Sequence, residues 1–344
     1  MSKPLEGLRV LITGGTGSLG QVLVRRILSG EVGRPEQVVV FSRDEAKQHE
    51  MRLEYLHRAA VTDDVIYRNS RELLSFRIGD VRDYASILGA VSRSNVIFNA
   101  AALKQVPTCE YFPFEAIQTN IIGAENIVRA IRDSHAPVST VVGISTDKAC
   151  KPINVMGMTK ALQERIFVQA NMDSVDTRFV CVRYGNVIAS RGSVVPMFLD
   201  QIRRGGPVTV TLPEMTRFLL SLERAVDTVF AALATARRGE TYVPRVPAAR
   251  IVDLATALMG RRRVEISYTG IRPGEKLHEI MISEEESYRT IERDGYYVCA
   301  PILPELREGV MPPRVIKGEY SSADSVISVE ELRALLADNL GEVA

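Results

Sequence analysis

An acid and two amines stand where they could move protons on one substrate. Asp147 and Lys148 come just after the apolar run 138–144, which predicts a buried parallel strand. In an open α/β sheet, ligands bind outside the carboxyl ends of the strands. Lys160 lies further on, where a helix over residues 159–170 is predicted to begin. These three side chains therefore predict general acid–base chemistry at the end of the strand.

A glycine-rich turn lies near the N-terminus, between a predicted strand at 8–12 and a predicted helix at 18–28. Its glycine spacing lets the backbone turn tightly and approach a pyrophosphate, with the helix N-terminus facing the anion. The predicted dinucleotide-contacting turn comprises Gly14, Thr16, Gly17, Ser18, Leu19 and Gly20. A plain strand-to-helix turn is the alternative interpretation of the same pattern.

Polar residues after the second predicted strand, 37–41, bear on which dinucleotide fits. Arg43 follows Ser42 directly, and Lys47 lies about one helical turn beyond it. An arginine here suits a ribose 2′-phosphate, whereas an acid such as Asp44 suits a 2′-hydroxyl. We therefore predict NADP in preference to NAD. A solvated, charged helix start is the other interpretation.

Further apolar segments alternate with helical patterns. Residues 76–81, 96–102 and 178–183 are predicted strands, and 114–133 is a predicted helix. This alternation indicates an α/β fold with a doubly wound parallel Rossmann sheet.

The length of 344 residues is enough for two units. We expect an NADP-binding Rossmann domain over 1–187, a smaller α/β substrate-binding domain over 188–316, and a tail with a helix over 317–344. Residues 223–246 are expected to pack back onto the Rossmann domain as a helix and a strand.

Composition argues against several classes of partner. Basic and acidic residues nearly cancel, 43 against 42, so bulk charge favours neither nucleic acid nor an acidic membrane. No apolar run approaches the roughly 18 residues of a membrane span, and the first residues lack the apolar region of a signal peptide. The four cysteines have no metal-ligand spacing, which fits free thiols in a reducing compartment. We expect a cytoplasmic protein without a metal.

Several motifs together resemble one enzyme family. The glycine-rich turn and the segments 79–81, 99–102, 119–120 and 183–187 resemble the signature series of extended short-chain dehydrogenase/reductases. The segments 102–107, 145–148, 190–196 and 272–279 narrow the resemblance to the bacterial UDP-N-acetylglucosamine 4,6-dehydratases of surface-polysaccharide synthesis. Met156 stands where the usual Tyr-x-x-x-Lys pair has its tyrosine, as in the soluble capsule-type branch of that family. A thioether cannot hold or release a proton.

The resemblance implies a sequence of four events: NADP oxidises C4 of the sugar, C5 loses a proton, the 6-hydroxyl leaves as water, and hydride returns to C6. Lys148 is then expected to take the C5 proton and Asp147 to protonate the departing hydroxyl. For this the pKa of Lys148 must fall, which burial and the nearby Lys160 cation are expected to achieve. Lys160 is expected to hold the nicotinamide ribose and assist at the C4 hydroxyl, Thr146 to bind the sugar, and Met156 to fill apolar space.

The group that takes the C4 hydroxyl proton stays open in this scheme. Asp147, a water relayed through Lys160, and a substrate phosphate are the alternatives.

The resemblance also assigns binding residues. Besides the glycine-rich turn, the expected cofactor-binding residues are Ser42, Arg43, Lys47, Asp80, Val81, Ala100, Ala101, Ala102, Lys104, Asn120, Lys160 and Tyr184. The expected substrate-binding residues are Lys104, Asn186, Arg191, Ser193, Val194, Arg217, Arg272 and Glu275. Arg217 and Arg272 are expected to converge on the diphosphate, because planar guanidinium groups suit bidentate binding. Glu275 could accept from ribose hydroxyls, and His278 is interpreted as a structural residue of an amphipathic helix.

The expected product is a UDP-2-acetamido-2,6-dideoxy-hexos-4-ulose with inversion at C5, although related branches retain that configuration. A UDP-sugar 4-epimerase shares the fold and the first hydride step, but the missing tyrosine argues against it. A non-catalytic NADP-binding regulatory protein is the other alternative, and the intact Asp147–Lys148 pair argues against that. The resemblance further implies a homo-oligomer, a hexamer in the soluble branch, in which segment 320–340 reaches a neighbouring subunit.

Overall fold

The computed structural model describes residues 3–61, 64–188, 193–307, 309 and 313–340. Its strands are β1 (Arg9–Thr13), β2 (Gln37–Ser42), β3 (Leu74–Ile78), β4 (Val96–Asn99), β5 (Thr140–Ile144), β6 (Arg178–Val182), β7 (Asn186–Val187), β8 (Val208–Val210), β9 (Thr216–Leu220), β10 (Thr241–Pro244), β11 (Ala248–Arg250), β12 (Ile266–Tyr268), β13 (Ile280–Ile282), β14 (Thr290–Arg293), β15 (Tyr296–Cys299) and β16 (Tyr320–Ser321).

The helices alternate with these strands. They are α1 (Ser18–Leu28), α2 (Glu45–Val61), α3 (Val65–Leu73), α4 (Tyr84–Val91), α5 (Val106–Tyr111), α6 (Pro113–Ala116), α7 (Gly123–Ser134), α8 (Val155–Asp173), α9 (Val194–Arg203), α10 (Leu222–Thr235), α11 (Ile251–Met259), α12 (Glu284–Ser287) and α13 (Val329–Leu340). A π-helical turn spans Ile117–Ile122, and short 3-10 turns span Asp147–Ala149 and Pro304–Leu306.

Within the described residues, nine strands form one sheet in the order β3-β2-β1-β4-β5-β6-β10-β15-β14. The strands from β3 to β10 run parallel, and β15 and β14 complete the edge in antiparallel fashion. The chain builds outward from β1 to β3 and then crosses to β4, which makes the gap between β1 and β4 the switch point of a doubly wound fold. The predicted α/β fold with a Rossmann sheet is confirmed.

Alternation along the central strand supplies both faces of the sheet with apolar side chains. On β1, Val10 and Ile12 enter one core cluster together with Leu23 of α1, whereas Leu11 enters the other together with Ile127 of α7. Successive side chains of a strand point to opposite faces. The period of two along β1 therefore explains why helices cover the sheet on both sides.

The chain returns to this sheet twice after leaving it. Helix α10 packs against α1, and β10 pairs with β6 in parallel. The hairpin β14–β15, which lies inside the expected substrate-binding domain, also joins the sheet through β10. The domain boundaries at residues 188 and 316 stay a prediction, and residues 290–299, although within these bounds, belong to the main sheet.

A separate core lies beside the sheet. It is built from β8, α9 and α11, and Leu332 and Leu336 of α13 are buried in it. Strand β16 pairs with β13. Helix α13 docks on α11 of the same chain through its buried leucines, and the expectation that segment 320–340 reaches a neighbouring subunit stays a prediction.

Two helices differ from the predicted bounds. The helix predicted over 114–133 is interrupted by the π-helical turn Ile117–Ile122, an irregularity that is frequent at functional sites. Helix α8 begins at Val155, where the Asn154 side chain accepts a hydrogen bond from Gly157 N at 2.8 Å. Asparagine is a preferred N-cap, so Met156 and Lys160 both lie on α8.

The buried arginine Arg183, which follows β6, links α8, β13 and α12. Arg183, after β6, pairs with Glu164 of α8 at 2.6 Å and with Glu286 of α12 at 2.6 Å. It also donates to Met281 O at 2.9 Å. Arg289 pairs with Glu286 on the other side, at 3.1 Å. Burial alone would raise the pKa of Glu286, but Arg183 outweighs this effect and lowers that pKa to about 2.

Candidate active site

The acid and the amine lie where β5 and β6 end. Beyond β5, Ser145 N donates to Val182 O at 2.7 Å and Asp147 N donates to Tyr184 O at 3.1 Å. The Thr146 side chain accepts from Lys148 N at 3.4 Å and donates to Asp147 Oδ1 at 2.9 Å. Backbone pairing therefore continues past the strands and fixes the 3-10 turn that carries both side chains.

Lys148 lies between two buried carboxylates. Its Nζ is 3.1 Å from Asp147 Oδ1 and 2.9 Å from Glu279 Oε1. Asp147 is fully buried and Glu279 is 1% exposed. Glu279, just before β13, was not among the expected site residues. The signal that could have found it is an acid directly before an apolar strand, within the motif 272–279.

These charges set the protonation state of Lys148. Burial alone would lower the pKa of its amine, but the charges of Asp147 and Glu279 outweigh burial and raise that pKa above its ordinary value. The expectation of a lowered pKa is wrong. Two anions face the amine, and Lys160 is not the group that acts on it. Lys148 is therefore an ammonium ion at neutral pH.

The two carboxylates differ from each other. Burial raises the pKa of Asp147, and the nearby Glu279 charge adds to that rise despite the partial compensation by Lys148. For Glu279, Lys148 and Arg217 outweigh burial and lower the pKa. Opposite shifts in a pair of neighbouring acids are typical of acid–base sites. Asp147 is thus the carboxyl group that takes up a proton more readily.

One oxygen of each carboxylate stays available. Asp147 Oδ2 and Glu279 Oε2 are buried and find no hydrogen-bond partner among the described residues. Buried polar atoms are usually paired. Two free carboxylate oxygens beside one ammonium therefore make this cluster a candidate for proton transfer to a ligand.

Lys160 and Met156 face different surroundings on α8. Lys160 Nζ donates to Ile144 O and, at 2.6 Å, to Gln163 Oε1. Burial lowers the pKa of Lys160 to about 8. Met156 is buried in a small apolar cluster with Cys109 and Ala116. Its surroundings agree with a space-filling role, and Lys160 titrates close to neutral pH.

A cavity lies at the switch point between β1 and β4. Of the expected cofactor residues, it brings together Gly14, Thr16, Ser42, Arg43, Lys47, Asp80, Val81, Ala101 and Ala102. Phe41, Gly79 and Thr119, which were not among the expected cofactor residues, complete the lining together with Asp44, the acid named as the alternative ribose contact. Gly17, Ser18, Leu19, Gly20, Ala100, Lys104, Asn120, Lys160 and Tyr184 are not part of the lining.

The glycine at the cavity floor is required by the close approach of two loops. Gly14 has a φ of +65°, and a Cβ at this position would lie 2.7 Å from Ala101 N. Both the positive φ and the close contact with Ala101 disfavour any residue other than glycine at position 14. Thr119 Oγ1, on the π-helical turn, is buried and has no hydrogen-bond partner in the described part of the chain. The cavity thus offers a bare backbone and a free hydroxyl.

Charges at the far end of this cavity are partly neutralised. Lys47 forms an ion pair with Asp44, and Arg43 Nη1 lies 3.9 Å from Asp80 Oδ2, which Arg82 holds at 2.6 Å. About half of the Arg43 side chain is exposed. Arg43 is therefore the cation that is most available to an anionic ligand here.

The amide of Asn120 has a structural role. Its Oδ1 accepts from Leu103 N at 2.9 Å, and its Nδ2 donates to Leu103 O at 3.0 Å and to Thr159 Oγ1 at 2.9 Å. These contacts use the side chain to join the loop after β4 to α8. The expectation of direct cofactor binding by this side chain is not supported by its contacts.

The expected substrate residues fall into two environments. Asn186 Oδ1 and Ser193 Oγ are buried and have no partners among the described residues. Val194, which follows Ser193, is the first residue of α9. Arg272 is exposed, and its backbone N donates to Glu275 Oε2 at 3.4 Å. Arg191 lies outside the described residues, and Lys104 is exposed.

Arg217 does not share the environment of Arg272. It is buried, and its Nη1 donates to Thr216 O at 2.7 Å and to Leu277 O at 3.1 Å. Its Nε lies 3.8 Å from Glu279 Oε1. The expected convergence of the two guanidinium groups on a diphosphate therefore stays a prediction, and Arg217 faces the carboxylate cluster.

His278 is not in a helix, contrary to the sequence interpretation. It lies in a bend before β13, and its Nδ1 is 2.8 Å from Thr216 Oγ1. The turn residues Pro273 and Gly274 precede it. The pattern of 276–282 resembled a helix because apolar and polar residues alternate irregularly there.

The comparisons with known proteins place the chain in a family. Residues 10–301 match the family described as polysaccharide biosynthesis protein. Over 293 residues, 84% of this chain and 81% of the relative, the sequence is 44% identical to a Rickettsia bellii protein named UDP-glucose 4-epimerase. Pen from Bacillus thuringiensis matches with a TM-score of 0.85 and 33% identity, covering 97% of this chain and 99% of Pen. The chain belongs to the polysaccharide biosynthesis protein family.

A more distant structure shares the fold. The dTDP-glucose 4,6-dehydratase DesIV from Streptomyces venezuelae, solved with NAD and TYD bound, matches with a TM-score of 0.65 and 19% identity. The match covers 78% of this chain and 87% of DesIV.

Two of the expectations from the sequence concern membrane-spanning helices and groups of metal-binding side chains. In the part of the chain that the structure describes, no helix is long and apolar enough to cross a bilayer, and no group of three or more His, Cys, Asp and Glu residues could hold a metal ion. The four cysteines, all within the described residues, are free and buried.

Proposed function

We propose that this protein is an NADP-dependent 4,6-dehydratase that converts UDP-N-acetylglucosamine into a UDP-2-acetamido-2,6-dideoxy-hexos-4-ulose. The proposal includes inversion at C5, a cytoplasmic homo-oligomer (a hexamer), and a role in bacterial surface-polysaccharide synthesis. The observation that carries it is the buried Asp147–Lys148 pair at the carboxyl end of β5. The family of the chain and the relatives named for nucleotide sugars support this class of substrate.

The cavity at the switch point fits a dinucleotide. Gly14 lets the loop after β1 pack against the backbone of Ala101, Thr119 offers a hydroxyl without a partner among the described residues, and Arg43 offers an exposed guanidinium. Thr16, Ser42, Arg43 and Lys47 would hold the adenosine end, with Arg43 on a 2′-phosphate. When bound, NADP supplies reversible removal of hydride from C4 of the sugar.

The Asp147–Lys148 pair can run elimination as a closed proton loop. A proton moves from Lys148 Nζ to Asp147 Oδ1 across their 3.1 Å hydrogen bond, and the raised pKa of Asp147 makes this move easier. The neutral amine then takes the C5 proton, and the carboxylic acid protonates the departing 6-hydroxyl. Elimination leaves the pair as ammonium and carboxylate without a proton from solvent. The return of hydride to C6 then requires a proton at C5, which comes from solvent and accounts for the deuterium expected there in D₂O.

Lys160 is the candidate for the C4 hydroxyl proton in place of the missing tyrosine. With a pKa of about 8, a fraction of its amine is neutral at physiological pH and can accept a proton, directly or through a water. General bases work best when their pKa lies near the operating pH. Asp147 is the alternative acceptor.

The nucleotide part of the substrate is proposed to bind in the second half of the chain. Asn186 and Ser193 offer buried oxygens that have no partner among the described residues, and the exposed turn with Arg272 and Glu275 offers a guanidinium and a carboxylate. Thr146 would contact the sugar next to Asp147. Arg217 is close enough to Glu279 to act on the cluster itself.

Arg43→Ala is expected to narrow the preference for NADP over NAD. The exposed guanidinium would lose its contact with the 2′-phosphate, and a charge-assisted hydrogen bond contributes about 1.5–3 kcal/mol. Calorimetric titration of both cofactors into wild type and variant measures the two dissociation constants. Arg93→Ala, at an exposed arginine outside the cavity, serves as the control. Equal affinities of the wild type for NADP and NAD would contradict the assignment.

Met156→Leu is expected to retain most of the activity and stability. The side chain lies in an apolar cluster, and swaps that conserve apolar volume usually change stability by less than about 1.5 kcal/mol. Turnover and thermal unfolding of the variant are compared with those of Met158→Leu, at an exposed position of the same helix. A folded Met156→Leu protein with no turnover would show that the thioether has a chemical role.

The function is tested by incubating the purified protein with NADP and UDP-N-acetylglucosamine. A dehydratase yields a product lighter by one water, with a 6-methyl signal in the proton NMR spectrum and deuterium at C5 when the reaction runs in D₂O. A 4-epimerase, the second candidate because of the relatives' name, leaves the mass unchanged and alters the C4 signals. An unchanged substrate would argue for a non-catalytic NADP-binding protein.

A further inference from the structure

Glu279 belongs to a segment, 274–279, that is tied to the catalytic turn at three points. Asn154 Nδ2 donates to Gly274 O at 2.7 Å, Lys276 Nζ donates to Cys150 O at 2.6 Å, and Lys148 Nζ contacts Glu279 Oε1 at 2.9 Å. All three contacts reach residues between the 3-10 turn and the start of α8. The segment begins at the exposed turn with Arg272 and ends at the buried cluster.

The Glu279 backbone is held firmly. Its N donates to Ser322 Oγ at 2.9 Å, and its O accepts from Ser322 N at 2.8 Å. Ser322 Oγ lies 2.7 Å from Thr216 Oγ1, which contacts His278 at 2.8 Å. Because β9 and the residue after β16 both support this position, the carboxylate of Glu279 has a fixed place against Lys148.

A second carboxylate is not needed to neutralise Lys148, since Asp147 already does so. Asp147, Glu279, Arg217 and Lys276 are the charged groups that face one another around the amine. In a purely structural ion pair we would expect both carboxylate oxygens to accept hydrogen bonds. Glu279 Oε2 instead is buried and has no partner among the described residues. A second carboxylate within hydrogen-bond distance of the amine, besides the proposed proton acceptor, restricts where that amine can point.

We infer that Glu279 is a positioning residue that holds the Lys148 amine against Asp147 and sets the orientation in which this pair meets the sugar. The inference rests on the proposed function for its catalytic part. The other part of the inference, that the Glu279 carboxylate attracts and orients the Lys148 amine, does not depend on any substrate.

The first test needs no substrate. The ligand-free protein is treated with a small acetylating reagent across a pH series, and the Lys148 peptide is quantified by mass spectrometry. An opposite charge within about 4–6 Å shifts a pKa by roughly 1–3 units, so the midpoint of Lys148 modification should fall by that amount in Glu279→Gln. Glu284→Gln, which makes the same change at an exposed position nearby, should leave the midpoint unchanged.

The second test uses the complete enzyme with NADP and UDP-N-acetylglucosamine. Small misplacements of a catalytic group lower rates by about 10²-fold, so Glu279→Gln should lower kcat by about that factor with little change in KM. Glu279→Asp keeps the charge but shortens the reach, and it should lower kcat while moving the Lys148 midpoint less. This second variant decides the matter if Glu279→Gln does not fold.

The outcomes separate the two proposals. An unchanged modification midpoint in Glu279→Gln, or a wild-type kcat in both variants, overturns the positioning role. If the wild-type protein produces no dehydrated sugar, the proposed function fails, and the modification midpoint alone still decides whether Glu279 holds Lys148.

Discussion

Lys148→Met is expected to abolish dehydration and to destabilise the protein in a pH-dependent way. Methionine keeps much of the length of the side chain but removes the amine that donates to Asp147 and that is proposed to take the C5 proton. Loss of a proton-transfer group lowers rates by about 10²–10⁴-fold. The 6-methyl signal of the product is the measure of turnover.

The same change leaves Asp147 and Glu279 buried without the cation that they share. Removing one partner of a buried ion pair costs about 3–5 kcal/mol, and we expect that loss in the free energy of unfolding at pH 8. Without Lys148 the pKa values of the two acids rise above their unfolded values, so protonation relieves the variant as pH falls. The stability gap between variant and wild type should therefore narrow towards pH 5.

Denaturant unfolding at pH 5 and pH 8 measures this gap. Lys151→Met is the matched control, because it breaks an ion pair with Glu319 whose lysine is 42% exposed, and exposed pairs contribute about 0–1 kcal/mol. A Lys148→Met protein that is equally stable at both pH values, or that still forms product, would contradict the assigned cluster.

Arg183→Leu is expected to be the most destabilising single change away from the site. It leaves Glu164 and Glu286 buried without their shared guanidinium, for which we expect a loss of about 3–5 kcal/mol in the free energy of unfolding. Thermal and denaturant unfolding measure the loss. Arg204→Leu, at an exposed pair with Asp200, should change stability by less than about 1 kcal/mol.

The pH dependence of stability provides a further readout. In the wild type the pKa of Glu286 is lowered to about 2, so its contribution to stability is complete above the unfolded pKa, roughly 4.3. That contribution is lost as pH falls through the folded value. In Arg183→Leu this acid-side loss should shrink, because only Arg289 then remains as a cationic partner of Glu286. If the free energy of unfolding of Arg183→Leu depends on pH between 5 and 2 as that of the wild type does, the Arg183–Glu286 ion pair is not the cause of the acid-side loss of stability.

Local patterns were sufficient to predict the parts of the fold that depend on neighbours in sequence. The helix predicted over 18–28 is α1 (Ser18–Leu28), and the strands of the first half lie within a few residues of their predicted places. Hydrophobic periodicity and glycine spacing are local signals, which is why they succeeded. The interruption at Ile117–Ile122 was missed because a π-helical turn changes the hydrogen bonding without changing the apolar pattern.

The site was predictable only in part. Asp147 and Lys148 stood out because they end a buried strand, but Glu279 meets them only through the folding of the second half of the chain. The pKa of Lys148 depends on Asp147 and on that distant acid, so reasoning from burial and Lys160 gave the wrong direction. The contacts of the Asn120 amide with Leu103 and Thr159 could not be predicted from a motif, because they join segments that are distant in sequence.

The late return of the chain to the sheet has a consequence for biosynthesis. Strand β6 pairs with β5 and β10, so on the ribosome its second edge stays open until Thr241–Pro244 has emerged, and the hairpin Thr290–Cys299 must follow to cover that strand in turn. Parallel pairings between distant segments form slowly, and unpaired apolar edges promote aggregation. We expect nascent chains that end between β6 and β10 to engage chaperones more strongly than chains released after β15.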